Sequence, residues 1–298
     1  MNSGEKLMTD SWFLRQIAER VVRSKAMEVG ESIRIFAPGY ERNEEGWIIF
    51  PEDRTFRQDV FDVKVEHPSK NNMFMLQEIV RYTCSGRTRP VIICDPMAGA
   101  GSTMITAEEV DEVVLIELEP HFAGLLEQNA DAFGDNITVY NDNCLNVLPS
   151  MSNQFDLVMF SPPYSNQIKQ NSGMAQYREG ESGSARSIVN YTSHKDNLSL
   201  LADFPFNMQM NKVYRLCGEA LKPGGWLVVV IKDQIRAGAR VDFGAITVRA
   251  VLKATSGKVV PVEWYRHTHL GKLFGIWNKQ HGHRVVEDEH IIMLRKEG

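Results

Sequence analysis

Cysteine is scarce in this chain and nowhere clustered. Cys84, Cys94, Cys144 and Cys217 are spread through 298 residues, with no Cys-x-x-Cys pair and no histidine at metal-ligand spacing beside them. That pattern excludes a disulfide scaffold and a thiolate metal framework, and it reads as small core residues held in a reducing compartment. The pairs His267/His269 and His281/His283 lie in Gly-, Lys- and Asn-rich sequence, and no metal site is expected there. No run reaches the roughly 18 apolar residues that a membrane span needs, and residues 1–6 carry no signal-peptide core. A cytoplasmic protein with no membrane partner is therefore expected. The pattern Gly-x-x-x-x-Gly-Lys-Ser/Thr is also missing, which argues against a nucleoside triphosphate ligand. There is no internal repeat or low-complexity block, and 43 % apolar residues supply a core for one large α/β domain with additions.

Against that background, residues 157–164 stand out. The apolar run Leu-Val-Met-Phe stops at Ser161, Pro162, Pro163 and Tyr164. A buried strand emptying into such a loop offers two acceptors for an –NH₂ group, the Ser161 hydroxyl and the Pro162 carbonyl. Tyr164 supplies a flat ring for stacking. The two prolines fix φ at successive positions, so the acceptors are aimed before a ligand arrives. An ordinary strand-ending turn has the same composition, and this stretch alone leaves both readings open.

A second motif precedes it. Residues 91–103, Val-Ile-Ile-Cys-Asp-Pro-Met-Ala-Gly-Ala-Gly-Ser-Thr, are a short strand running into a glycine turn and a helix start. Gly99 and Gly101 let the backbone approach a ligand, and the helix N-terminus offers unpaired N–H groups. The strand at 113–117 then ends in Glu117, placed either to hold the two hydroxyls of a ribose or as a solvated strand-terminal acid.

Together these motifs resemble the S-adenosyl-L-methionine-dependent DNA amino-methyltransferases. Asp95-Pro96-Met97-Ala98-Gly99-Ala100-Gly101-Ser102-Thr103 is similar to that family's cofactor loop, and Ser161-Pro162-Pro163-Tyr164 to its catalytic motif in the form typical of cytosine-N4 enzymes. His67-Pro68-Ser69-Lys70-Asn71 looks like the segment over the methionine end of the cofactor. The resemblance runs from about Val63 to Arg295, taking in Leu221-Lys222-Pro223-Gly224-Gly225-Trp226 and Glu289-His290-Ile291-Ile292. It implies that Ser161, Pro162, Pro163 and Tyr164 are catalytic. It places the methionine part of S-adenosyl-L-methionine near Asp95, Pro96, Ala98 and Gly99, with Gly101, Ser102 and Thr103 completing the loop. The ribose falls on Glu117 and the adenine by Asp142 or Asn143: alignment on Leu145 favours Asn143, residue type Asp142. Lys70 is a candidate partner for the cofactor carboxylate. Double-stranded DNA, with the target base flipped out, is the implied acceptor. A restriction endonuclease partner stays open, and the oligomeric state is not given.

An enzyme acting on cytosine C5 would need a nucleophilic cysteine in a Pro-Cys pair, and none occurs in the sequence. Adenine N6 is the nearest alternative target, although such enzymes more often have Asp or Asn where Ser161 stands. An RNA amino-methyltransferase and a non-catalytic binding module are the further alternatives.

Periodicity sets the organisation. Strands near 91–95, 113–117, 137–140, 156–160 and 226–231 alternate with helical stretches at 72–84, 102–109, 120–132 and 208–221, which predicts a doubly wound α/β domain. The resemblance implies a seven-stranded, mostly parallel Rossmann-like sheet with helices on both faces and an antiparallel last strand, the runs at 259–264 and 290–294 pairing at its end. Residues 1–62 form an N-terminal extension, with an amphipathic helix over 5–28 and short strands around 33–36 and 47–50. Residues 63–298 form the methyltransferase domain. Its polar interval 165–206 reads as a target-recognition segment or a lid.

Net charge is −5, but from Lys232 to Val286 ten Lys/Arg stand against three Asp/Glu. A basic face for nucleic-acid phosphates is expected there, with Lys232, Arg236, Arg240, Lys272 and Lys279 as candidates.

Overall fold

The computed structural model describes residues 35–64, 70–165, 194–236, 239–269 and 286–298. The helix expected over 5–28, most of the 165–206 interval, His67, Pro68, Ser69, Lys272, Lys279, His281 and His283 lie outside the described residues.

The strands are β1 (Ile48–Phe50), β2 (Ile92–Asp95), β3 (Glu112–Glu117), β4 (Ile137–Asn141), β5 (Phe155–Phe160), β6 (Leu221–Ile231), β7 (Gln234–Arg236), β8 (Ala239–Val241), β9 (Val259–His269) and β10 (Glu289–Lys296). The α-helices are α1 (Arg54–Val60), α2 (Met73–Cys84), α3 (Pro120–Phe133), α4 (Cys144–Val147), α5 (Asp203–Ala220) and α6 (Phe243–Ala254). Among the described residues, eight strands join in one sheet of order β4-β3-β2-β5-β6-β10-β9-β1, while β7 and β8 form a separate hairpin. Only β10 is antiparallel to its neighbours in the large sheet. The doubly wound sheet and its antiparallel last strand are as the sequence implied.

The chain leaves β2 toward β3 and β4, then returns to lay β5 against the other side of β2. The loops after β2 and β5 therefore diverge from adjacent strands. That is the switch point at which open α/β sheets form a crevice beyond the strands' C-terminal ends.

Period-two alternation along the strands divides the core into two layers. Ile93, Leu115, Leu157 and Val228 point to the side covered by α2 and α3; Cys94, Val114, Val158 and Leu227 point to the side covered by α4, α5 and α6. In α2, Met73, Leu76, Val80 and Thr83 recur at helical spacing and are buried. Its first turn is capped by Asn72, whose side chain accepts from the Met75 N–H at 3.1 Å. All four cysteines are buried and unpaired, as their spacing implied.

Three local expectations need correction. The sheet has eight strands and not seven, because Ile48–Phe50 adds in parallel to the outer edge of β9. The strand expected around 33–36 is not seen at Ile35 and Phe36, which run through a bend, with the Phe36 ring buried at 4.8 Å from Tyr265. The helix expected at 102–109 is a 3-10 helix over Ser102–Glu109. Its hydroxyl residues bond to nearby acceptors, Thr103 Oγ1 to Asp95 Oδ2 at 2.6 Å and Thr106 Oγ1 to the Thr103 carbonyl at 2.7 Å. Such local bonds compete with an α-helical ladder.

Candidate active site

The site starts at Asp95, the last residue of β2 and almost fully buried at 3 % exposure. One carboxylate oxygen accepts from the Met97 N–H at 3.0 Å and the other from Thr103 Oγ1 at 2.6 Å. Burial pushes this carboxyl up to about 6, with the nearby charge of Glu117 adding to the rise and the two hydrogen bonds opposing it. Asp95 thus folds the glycine loop back over the strand end that carries it.

Gly99 and Gly101 both have left-handed backbone, φ 52° and 69°. At Gly101 a Cβ would meet Leu126 Cδ2 at 2.5 Å, so α3 leaves no room for a side chain. The Gly99 N–H donates to Glu117 Oε2 at 2.7 Å, and the Glu119 N–H donates to Glu117 Oε1 at 2.9 Å. Glu117 is 8 % exposed, and burial raises its carboxyl above the ordinary value. The Leu118 N–H also bonds this carboxylate, which leaves one of its roughly four lone-pair sites for a ligand hydroxyl. Of the two readings of Glu117, the solvated strand-terminal acid does not describe it: the carboxylate braces the glycine loop.

After β4, Asn143 caps α4, its side-chain oxygen accepting from the Leu145 N–H at 3.0 Å. Asp142 Oδ1 accepts from the Asn143 N–H at 2.6 Å and Asn146 Nδ2 at 2.9 Å. Asp142 Oδ2 has no partner among the described residues. Asn143 thus spends one lone pair of its side-chain oxygen on the helix, and Asp142 spends one oxygen on the turn before it.

These groups line one cleft of about 1040 Å³, counting the solvent at its mouth. Lys70, Asp95, Pro96, Ala98, Gly99, Ser102, Glu117, Asp142 and Asn143 meet Ser161, Pro162, Pro163 and Tyr164 in it. Gly101 and Thr103 do not line it and act from behind, through the turn and through Asp95. Among the described residues, the charged lining consists of the carboxylates Asp95, Glu117, Asp142 and Asp196 and the ammonium Lys70. Such a wall suits a ligand rich in N–H and O–H donors and carrying positive charge, and it opposes a polyphosphate.

Three parts of the cleft were not anticipated from sequence. Asp196, Asn197 and Leu198 close one side. They are docked by the buried Glu119, which accepts from the His194 N–H at 3.3 Å and from Asn197 Nδ2 at 3.5 Å. Arg57 of α1 donates to Ser102 Oγ at 2.9 Å and to the Asn71 carbonyl at 2.8 Å, tying the N-terminal segment to the glycine loop. The third is the anchoring of Tyr164. Its hydroxyl donates to the Lys232 carbonyl at 2.9 Å and accepts from the Lys232 N–H at 2.8 Å, and its ring meets Phe243 edge-on at 5.6 Å. Burial raises the Tyr164 hydroxyl well above its ordinary value. The next residue, Ser165, donates to Asp203, and Arg236 holds both.

The described basic candidates, Lys232, Arg236 and Arg240, are engaged within the protein. Arg236 makes a paired contact with Asp203 at 3.0 and 2.9 Å. Arg240 bonds Asp233 at 2.6 Å and Asp288 at 3.0 Å, both acids being buried. Lys232 lies 3.8 Å from Glu289. Lys232, Arg236 and Arg240 are thus each paired with a carboxylate of the chain itself.

Asp233, Asp242 and His290 bring potential metal ligands within 4.8 Å of one another. Hydrogen bonding accounts for the group. Trp264 Nε1, a donor only, lies 2.9 Å from His290 Nδ1. That leaves the ring proton on Nε2, 2.9 Å from Asp233 Oδ1. Burial would raise the Asp233 carboxyl, but His290 and Arg240 outweigh it and hold it down to about 2.

The model of the family described as "Conserved hypothetical protein 95" matches residues 75–198, under half of the chain, from α2 through both motif loops. No match is found among curated proteins. Several solved structures are similar at low identity. The N-methyltransferase NodS from Bradyrhizobium japonicum, in complex with S-adenosyl-L-homocysteine, has 14 % identity over 82 % of this chain and 98 % of its own, with a TM-score of 0.47. An rRNA methylase from Streptococcus thermophilus has 12 % identity over 77 % of this chain and 98 % of its own, TM-score 0.44. Precorrin 8w decarboxylase from Methanobacterium thermoautotrophicum has 15 % identity over 79 % of this chain and 96 % of its own, TM-score 0.45. The fold assignment rests on the strand order itself.

Proposed function

We propose that this chain is an S-adenosyl-L-methionine-dependent methyltransferase that modifies an exocyclic amine, with N4 of cytosine in DNA as the favoured target. The observation that carries the reading is the cleft in which an acid-lined half, Asp95, Glu117 and Asp142, meets the Ser161–Tyr164 loop at one switch point. The donor set fits the cofactor: carboxylate oxygens for the ribose and adenine N–H and O–H groups, negative charge for a cation, and Lys70 for a carboxylate. When bound, S-adenosyl-L-methionine supplies an electrophilic methyl group on a positively charged sulfur.

The protein's own part is positioning. An aromatic amine has a lone pair conjugated with its ring and is a poor nucleophile. Ser161 Oγ and the Pro162 carbonyl each accept one N–H of that amine, which turns the lone pair toward the acid-lined half of the cleft. Pro162 and Pro163 limit the loop's own motion. Tyr164, held at its hydroxyl by Lys232, gives the loop's far end a fixed ring orientation. The acids of the cleft match a positively charged donor, and direct displacement needs no covalent attack on the base.

RNA is the second reading, because the acceptors and ring of the Ser161–Tyr164 loop address an amine and a base and not a sugar. Incubation with methyl-labelled donor and matched duplex DNA and RNA tests the assignment. Labelled N4-methyl-deoxycytidine after digestion supports the favoured target, and N6-methyl-deoxyadenosine or a methylated ribonucleoside reassigns it. No labelled nucleoside from either polymer removes the nucleic-acid reading.

A further inference from the structure

Behind the Ser161–Tyr164 loop lies a second recess, of about 840 Å³, between α5 and α6. Pro162, Pro163 and Tyr164 form the wall it shares with the first cleft. Its other walls are mainly apolar and aromatic: Phe206, Met210 and Tyr214 from α5, Phe243 and Ile246 from α6. Rings and a thioether of this kind suit a flat aromatic guest.

The polar groups in these walls point to one chemistry. Tyr164 is satisfied by Lys232, and Tyr214 is hydrogen-bonded to Thr247. Arg249 is different: its Nη1 is buried and has no hydrogen-bond partner, and no other lining residue among those described has such an orphaned atom. A buried guanidinium N–H without an acceptor is costly, more so than a neutral donor. Lys253 follows one turn later on the same face of α6 and also lines the recess. The recess thus carries positive charge at Arg249 and Lys253, and among the described residues none of its lining is acidic.

We propose that this recess binds a small aromatic molecule carrying one anionic group, its ring against Pro163 and Phe243 and its acid group on Arg249. The site is separate from the acid-lined cleft, whose charge is opposite, and it does not depend on the methyl-transfer reading. Because its wall is the back of the Ser161–Tyr164 loop, its occupant touches the element that would receive the acceptor amine.

Calorimetric titration of the full chain tests the proposal with phenylacetate and phenyl phosphate, which distinguish a carboxylate from a phosphate guest, and with phenethylamine as the cationic control. One acid should bind with single-site stoichiometry, the amine should not, and saturating S-adenosyl-L-methionine should not displace the acid. Arg249→Met should weaken the acid at least tenfold while melting no lower than the parent, since the lost Nη1 has no partner to forfeit. Arg249→Lys should restore part of the affinity. Binding of neither acid, equal binding of the amine, displacement by the donor, or unchanged affinity in a folded Arg249→Met protein overturns the proposal.

Discussion

The hydroxyl of Tyr164 sits between the two backbone polar groups of Lys232, donating to the carbonyl at 2.9 Å and accepting from the N–H at 2.8 Å. One side chain thereby fastens the loop after β5 to the segment after β6. The same segment continues into Asp233, which bonds His290 and Arg240. The candidate catalytic loop is therefore held by the sheet's own C-terminal edge.

This anchoring changes what a conservative substitution should do. A stacking ring alone would tolerate Tyr164→Phe with much of its activity retained. In this fold the change removes the two hydrogen bonds between the Tyr164 hydroxyl and the Lys232 backbone, each worth about 0.5–1.5 kcal/mol. Tyr164→Phe should lower the denaturation midpoint measurably and reduce methyl transfer with it. A variant that melts like the parent would show that the Lys232 contact contributes nothing.

Glu117 should control donor affinity. Glu117→Ala removes a ligand acceptor and also frees the Gly99 and Glu119 N–H groups it braces. Calorimetric titration with S-adenosyl-L-methionine should show binding weakened by at least tenfold. Unchanged affinity would remove Glu117 from the site.

Asp95 gives the cleft a pH dependence. Its carboxyl is raised to about 6, so protons bind it more tightly in the folded chain than in the unfolded one. Its contribution to stability is therefore largest below the unfolded value and falls as pH rises through 6. Cationic donor affinity should run the other way, rising as Asp95 ionises between about pH 5 and 7. Titrations across that range should show the rise in the parent and a flatter profile in Asp95→Asn. An identical profile in both would assign the dependence elsewhere.

Arg240 separates a structural role from a nucleic-acid role. It faces two buried carboxylates that Arg266 and His290 also hold, and its own side chain is 38 % exposed, so its loss costs less than breaking a fully buried pair. Arg240→Gln should lower the melting temperature even without nucleic acid. A stable variant with reduced DNA affinity and a shallower salt dependence would restore Arg240 to the phosphate track.

Much of the site was legible because it is written in short contiguous motifs. Residues 91–103 and 157–164 each combine a strand, a turn and their side chains in one stretch, and the two strands turn out to be neighbours. What stayed hidden depends on distant pairing. Ile48–Phe50 is only three residues long, and nothing in them announces the edge of β9. Asn197 enters the cleft because Glu119 holds it across 78 positions. Arg236 and Arg240 look like free surface charge in the sequence, since their partners Asp203 and Asp288 lie 33 and 48 positions away. The 3-10 form of Ser102–Glu109 follows from hydroxyl bonds that helical propensity alone does not register.

Single-turnover methyl transfer by Ser161→Ala, run beside thermal melting and donor titration, tests the central claim most directly. Losing one preorganised polar contact of this kind typically costs about 10²–10³ in rate. The rate of amine methylation should fall by that factor while the melting temperature and donor affinity stay near those of the parent. A parental rate in Ser161→Ala, or a loss that simply follows lost stability, would contradict the role given to this loop.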